Sequence, residues 1–458
     1  MTAMTLVMMS CSILEEEPNS FISPGNYYNT KSDAIAALTS AYAPLGVNGF
    51  VSRNFVILGE VTTDNMFPLA NNNDRVQLDN YVQTPQNVIL RETWQNFFAG
   101  ITRANVVINR VPKIEMDEAL RSRIVAEATF LRAFYYFQLV QYFGKLPLIT
   151  DETVTLDQVS YPERVEADQI YTQIIADLKA AETVLPVTYT GADNGRATQG
   201  AAKAFLAKVY LTRHEYQLAA DKAAELMAPP FTYGLWESYA DAFKISNEFG
   251  KEYIFDVSYV GGASSGQGGA LIAFFAQENN SVQGRGFGSF KPTEELINSF
   301  DPADLRLPTT LTLGTDGKFY CNKWVDPTST TANTSGNNFP LIRYADLVLM
   351  YAEAYNKVNA PVDGNPAYLA VNSIRTRAGL PALSGLSQDE LNNAILNERR
   401  LELCFEGHRW YDLVRTETFL TTLQAKSYPV TAEDMLMPVP QFELDLNSNL
   451  APQNPGYN

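Results

Sequence analysis

Glu402, Glu406 and His408 stand close together near the C-terminal end. Two carboxylates and an imidazole so grouped are the material of general acid–base catalysis or of a metal site. The competing chemistry is ionic. Glu398, Arg399, Glu402, Glu406 and Arg409 recur at helical offsets that bring opposite charges together. Exposed pairs of this kind are worth only about 0.2–0.5 kcal/mol each. Beside an apolar stripe they are expected instead to act as bidentate clamps, tying neighbouring helices into a partly buried lattice. This ionic reading is preferred, because a charge run flanking a core stripe is the ordinary pattern of a structural helix. The two histidines, His214 and His408, fall in no H-E-x-x-H spacing, and no G-x-x-x-x-G-K-[ST] loop occurs. With 51 Asp and Glu residues, no hydrolytic carboxylate pair can be singled out. The chain is therefore read as a non-enzyme, with no catalytic residue, metal ligand or cofactor.

The element that must carry the charge run is a helix over residues 397–416, with Leu401, Cys404, Phe405 and His408 on one face that must be buried. Helical periodicity also fills residues 31–44 (Ala34, Ile35, Leu38, Tyr42), 90–110, 117–143 and 161–185. Trp94, among Phe97, Phe98 and Ile101, is expected in the core, Gly144 and Pro147 should stop a helix, and Thr198 should cap the next. Residues 199–213 with 216–228, and 343–356 with 366–378, read as helical pairs whose small residues allow close approach, much like tetratricopeptide repeats. With the earlier helices they make about four imperfect repeats. Two stretches depart from this pattern. Residues 46–84 are rich in Asn and read as mostly irregular. Residues 229–339 hold an alternating strand at 253–259, Gly-rich loops at 261–269 and 284–288, and a second strand at 319–324. The expected fold is mainly α: tetratricopeptide-like helical repeats at about 31–228 and 340–425 form a superhelical scaffold, with a loop-rich, short-strand insert.

The charged stretch also carries a family likeness. Glu398-Arg399-Arg400-Leu401-Glu402-Leu403, followed by Phe405-Glu406-Gly407-His408-Arg409-Trp410-Tyr411-Asp412-Leu413, resembles the C-terminal hallmark of the SusD/RagB family of outer-membrane nutrient-binding lipoproteins. Leu131 to Leu139, Tyr142 to Leu148, and the endings Leu436-Met437-Pro438-Val439-Pro440 and Leu450 to Tyr457 are similar to the same family, so the resemblance covers most of the chain. It implies one SusD-like domain over residues 19–458. It also implies a surface lipoprotein that captures a nutrient, usually a glycan and in RagB-like members a peptide, and that lids a SusC-like TonB-dependent transporter.

A sugar presents C–H faces and a rim of hydroxyls, so its site needs aromatic faces edged by amides and carboxylates. The materials for such a face are Asp64, Asn65, Phe67 and Asn73 in the first irregular stretch, and Tyr259, Arg285 and Phe287 in the insert. Loops on a rigid scaffold are where binding residues concentrate, and the ligand face is expected where the two stretches meet. The helices should supply the frame and the transporter contact.

Residues 5–10 before Cys11 read as the end of a secretory apolar region, like a bacterial lipoprotein cleavage site. Residues 1–18 are accordingly read as a signal remnant and tether. Cys11 would be lipidated and anchored to the outer membrane, and Glu15, Glu16 and Glu17 resemble an acidic surface-export signal. Cys11, Cys321 and Cys404 are the only cysteines, too few for a disulfide framework. No uninterrupted run of ~18 apolar residues occurs, so no membrane span is expected. The 458 residues are 46% hydrophobic, ample for a large core, and carry a net charge of -17, which disfavours nucleic acid and anionic membrane surfaces as partners.

Overall fold

The computed structural model describes residues 28–47, 50–152, 161–262, 267–278, 284, 286–331 and 334–457. Cys11, the three glutamates after it, and Arg285 lie outside the described residues.

Helix α1 (Lys31–Gly46) opens on a capping box, in which the Thr30 hydroxyl accepts the Asp33 N–H and the Asp33 carboxylate accepts the Thr30 N–H. The following stretch is not the irregular loop expected. Residues 50–61 form buried helical turns, Val51–Phe55 and Ile57–Val61, followed by strand β1 (Met66–Pro68) and helix α2 (Asn73–Asp79). Their polar residues are consumed by caps and contacts: Asn72 accepts the Arg75 N–H, and Thr62 Oγ1 donates to the Leu58 carbonyl at 2.6 Å. By length and composition, Lys31–Val61 could cross a membrane, contrary to expectation. Its residues Ala34, Ala37, Leu38 and Ala41 are instead buried, as in the core helix of a folded domain.

Helix α3 (Val88–Arg110) carries Trp94 into the core, as expected. Helix α4 (Glu118–Phe143) is apolar nearly all round from Phe130 onward, and α1, α3 and α5 (Ala167–Val184) cover it. Arg132, inside this apolar helix, is satisfied by a bidentate pair with Asp177 of α5, both bonds 2.8 Å, and by Asn105 of α3 at 2.9 Å. Gly144, at φ 67, ends α4. The helix expected from residue 161 begins later, because β2 (Leu146–Pro147) pairs antiparallel with β3 (Arg164–Val165). Thr198 caps α6 (Gln199–Thr212) by accepting the Ala201 N–H, and α6 packs on α7 (Tyr216–Leu226) through buried alanines.

In the insert, β4 (Tyr253–Val257) is buried at every position rather than alternating, because it is covered on both faces. Helix α8 (Leu271–Phe275) leads to β5 (Phe290–Pro292), which pairs antiparallel with β1: Met66 faces Pro292, Phe67 faces Lys291 and Pro68 faces Phe290. After α9 (Glu294–Ser299) and α10 (Leu307–Thr310), β6 (Leu311–Leu313) and β7 (Phe319–Cys321) form a hairpin, and β8 (Phe339–Arg343) pairs with β4. Helices α11 (Tyr344–Val358), α12 (Pro366–Arg377) and α13 (Gln388–Leu403) follow. The pairs α1 with α3, α4 with α5, α6 with α7 and α11 with α12 stack in succession. This is the repeat scaffold expected, and its largest core cluster draws on residues from Ala41 to Leu450, with smaller clusters under α11, α12 and α13 and between α1, α3 and α4.

The helix expected over residues 397–416 is two helices. Helix α13 stops at Leu403, and α14 (Arg409–Arg415) begins after a turn in which Phe405 and Gly407 take φ values of 68 and 81. The turn exists because another segment meets it. A Cβ on Gly59 would lie 2.3 Å from the Gly407 carbonyl oxygen, and one on Gly407 would lie 2.4 Å from the Phe55 ring. Two glycines thus permit the helical turns of residues 50–61 to touch the 405–408 turn backbone to backbone. Leu401, Cys404, Phe405 and His408 are all buried, but the turn and not a shared helix face puts them there.

Candidate functional site

The charged stretch forms the expected lattice, buried at Glu398, Arg399, Glu402 and Glu406 and partly exposed at Arg409. Glu402 and Glu406 are fully enclosed, and both are gripped by Arg343 of β8. Its Nη1 donates to Glu402 Oε1 at 2.7 Å, while Nε and Nη2 donate to the two Glu406 oxygens at 2.7 and 2.9 Å. Arg377 of α12 and Arg306 before α10 add to Glu402 at 2.5 and 3.2 Å, and Lys323 adds to Glu406 at 2.7 Å. Arg399 reaches Asp346 of α11 and Asp412 of α14. The clamps therefore run between elements, as expected of a lattice, and the short-range pairing along one helix suggested by the spacing is not used. Burial opposes ionisation of Glu402, but Arg377, Arg343 and Arg306 together hold its carboxyl well below the usual range.

The two carboxylates are thus taken up by cations, as expected of the ionic reading. Lys208 Nζ donates to His408 Nδ1 at 3.1 Å, and burial with the Lys208 charge drives the imidazole pKa down to about 3, so the ring is neutral. Among the described residues no cluster of three or more His, Cys, Asp or Glu side chains is arranged to hold a metal.

Two residues expected on the ligand face belong to this lattice. Asp64 accepts from Arg409 at 2.8 and 3.0 Å and pairs with Arg400 at 3.1 Å and with Lys426. These cations outweigh burial and keep its carboxyl strongly acidic. Asn65 accepts from Arg400 Nε at 2.8 Å and donates to Glu60 Oε2 at 2.7 Å. Glu60 in turn accepts the Gly407 N–H at 2.8 Å, and burial lifts its carboxyl to about 7. Both side chains are buried and fully engaged, and neither is presented to solvent.

The other expected residues are dispersed. Phe67 is 41% exposed, at the seam where β1 meets β5. It walls an open recess of about 340 Å³ with Asp79, Asn80, Thr293, Lys426, Ser427 and Tyr428. Phe287, 54% exposed, donates its N–H to the Ala273 carbonyl at 2.7 Å on the same insert. Asn73 is exposed at the first turn of α2. Two residues on, the Arg75 guanidinium lies over the rings of Phe274 and Phe290 at 4.8 and 5.2 Å, which fastens α2 to α8 and β5. Tyr259 is buried and lines a different cavity, its ring against Gly269 and its N–H on Asn338 Oδ1 at 2.9 Å.

Asp79, Lys426 and Tyr428 are recess residues that sequence reasoning did not select. Burial lifts the Asp79 carboxyl to about 6 and the Tyr428 hydroxyl to about 12. Nothing in their local pattern marks them, because residues 426–428 reach the recess only through the fold. The recess combines a half-exposed ring, a partly buried carboxyl, an amide, an ammonium and hydroxyls, which suits a neutral polyhydroxylated ligand.

Two family profiles match the chain, one described as the SusD family over residues 307–457 and one as starch-binding associating with outer membrane over residues 14–211. SusD-like protein P2 of Formosa agariphila is 30% identical over 500 aligned positions, covering 99% of this chain and 98% of its own length. Among solved structures, a laminarin binding SusD-like protein is 28% identical with a TM-score of 0.82, covering 94% of this chain and 100% of its own. Surface glycan-binding protein A from Bacteroides uniformis is 26% identical with a TM-score of 0.81, covering 93% and 99% respectively. The chain belongs to the SusD/RagB family.

Proposed function

We propose that this protein binds a glycan at the bacterial surface and passes it to a SusC-like TonB-dependent transporter, without chemical turnover. The observation that carries this reading is the Phe67 recess, an exposed aromatic wall beside the Asp79 carboxyl and the Tyr428 hydroxyl at the seam of β1 and β5. The ligands by which similar proteins are named, laminarin and surface glycans, support the ligand class. The family description, starch-binding associating with outer membrane, supports the location. Lipidation at Cys11 would supply the anchor, with at least two acyl chains, since one alone binds membranes only marginally. In this reading the helical scaffold offers the transporter contact, and Phe67 and Phe287 supply the ring faces.

Calorimetry with neutral oligosaccharides tests the proposal. Saturable binding with no released sugar is expected, and Phe67→Ala should weaken it. Hydrolysis by the purified protein would overturn the binding reading. Saturable peptide binding with no glycan binding would move the ligand class to the RagB-like alternative.

A further inference from the structure

A second open space lies away from the Phe67 recess. One cavity of about 640 Å³ is bounded by the C-terminal end of α1 and by residues 256–260. A neighbouring one of about 260 Å³ is bounded by Tyr189, Tyr233 and Phe249. Both are lined by Asn194, Gly195, Arg196 and Asp256, so the two spaces adjoin at a shared waist. The waist is a backbone strap. Gly195 has φ 88, and a Cβ there would lie 2.7 Å from Ser258 Oγ and 3.1 Å from the Phe249 ring.

The walls are held rigid from behind. Glu127, enclosed on α4, accepts from Tyr42 at 2.9 Å, from Tyr189 at 3.1 Å and from Arg196 at 3.2 Å. The Arg196 guanidinium also lies 5.8 Å from the centre of the Tyr42 ring. On the floor Asp256 is buried, with one carboxyl oxygen taken by Asn338 Nδ2 at 2.7 Å. The rim is apolar and open, with Val47, Phe249 and Val260 each at least 43% exposed. Arg196 is matched by Glu127 and Asp193, and the Lys251 ammonium lies over the Trp236 ring at 4.9 Å. The groove thus offers ring faces, hydroxyls and a carboxyl, and its larger space falls in the size range of small-ligand sites.

We propose that this groove is a second carbohydrate site, taking a short neutral oligosaccharide segment independently of the Phe67 recess. The class of ligand rests on the glycan reading above, whereas the place rests on the groove alone. Two sites on one chain would let a long polymer bridge them and bind by avidity.

The test uses the full chain, a panel of neutral gluco-, xylo- and manno-oligosaccharides with a peptide control, and two groove variants. Ser258→Trp fills the waist from an exposed position, and Phe249→Ala removes the rim ring. With the best panel sugar, calorimetry should give a stoichiometry of two in the wild type. One site should remain in Ser258→Trp, and the complementary one in Phe67→Ala. Affinity for the parent polymer should fall at least about tenfold in Ser258→Trp. Phe249→Ala should weaken the second site with no change in circular dichroism. A wild-type stoichiometry of one, lost in Phe67→Ala and unaffected by both groove variants, overturns the second site while leaving the glycan reading intact. Binding of peptide alone, or of no panel sugar, overturns both. Binding that survives Phe67→Ala but is lost in Ser258→Trp upholds the groove and withdraws the Phe67 recess.

Discussion

The lattice around Glu402 and the recess around Phe67 draw on the same kinds of residue and put them to opposite uses. In the lattice the buried Glu402 and Glu406 carboxylates each meet guanidinium groups. In the recess the Asp79 carboxyl and the Tyr428 hydroxyl line an open space beside a half-exposed ring. Asp64 and Lys426 mark the border, since Asp64 is locked inside while Lys426 pairs with it and also lines the recess. Charge therefore says little about function here until burial and partners are known: saturated charges specify the fold, and unsaturated ones are available to a ligand.

The sharpest way to break this contrast is Glu402→Ala. It removes one carboxylate shared by Arg343, Arg377 and Arg306 in a closed interior, leaving them Glu406, Glu252, Asp304 and Glu398 as partners, and the loss of stability should be about 3–5 kcal/mol. Chemical denaturation measures that loss, and glycan affinity per folded molecule should be unchanged. A normal melting temperature with lost binding would reverse the roles assigned to lattice and recess. Gly407→Ala should come next. Its φ of 81 and the adjacent Phe55 ring leave no room for a methyl group, and a loss of about 1–3 kcal/mol is expected in the same denaturation assay.

On the recess side, Phe67→Ala should reduce glycan affinity about tenfold, or ~1.4 kcal/mol, while the melting temperature stays within a degree or so. A triple replacement of Phe67, Tyr259 and Phe287 would confuse the comparison, because Tyr259 is buried and its removal costs stability as well.

A pH dependence of stability is expected as well. The folded pKa of His408, near 3, lies below the unfolded value of about 6.5. The unfolded chain therefore takes up the proton first. The stability this group contributes is fully present above about pH 6.5 and is lost as the pH falls toward 3. The raised carboxyls Glu60, Glu248 and Asp256, each near 7, act in the opposite direction. The difference between wild type and His408→Gln isolates the histidine: their stability gap should narrow on acidification from pH 7 to pH 4. A constant gap would show that His408 is not held neutral by the lattice.

The sequence by itself determined what short-range periodicity encodes. The repeat helices, the Thr198 cap, the core position of Trp94 and the structural use of Glu398 to Arg409 follow from residues within a few positions of one another, where spacing and side-chain type fix the backbone and the buried stripe. The family resemblance rested on the same local runs. Only the tertiary structure decided the break at Phe405 to Gly407, because it depends on Gly59 and Phe55 arriving from the far end of the chain. Likewise only the fold turned Asp64 and Asn65 inward toward Arg400 and Arg409, and joined Phe67 to Lys291, Asp79 and Tyr428. A polar residue in an Asn-rich stretch looks the same in sequence whether it will be solvated or saturated. The partner that decides between the two outcomes lies hundreds of residues away, and no local pattern reports it.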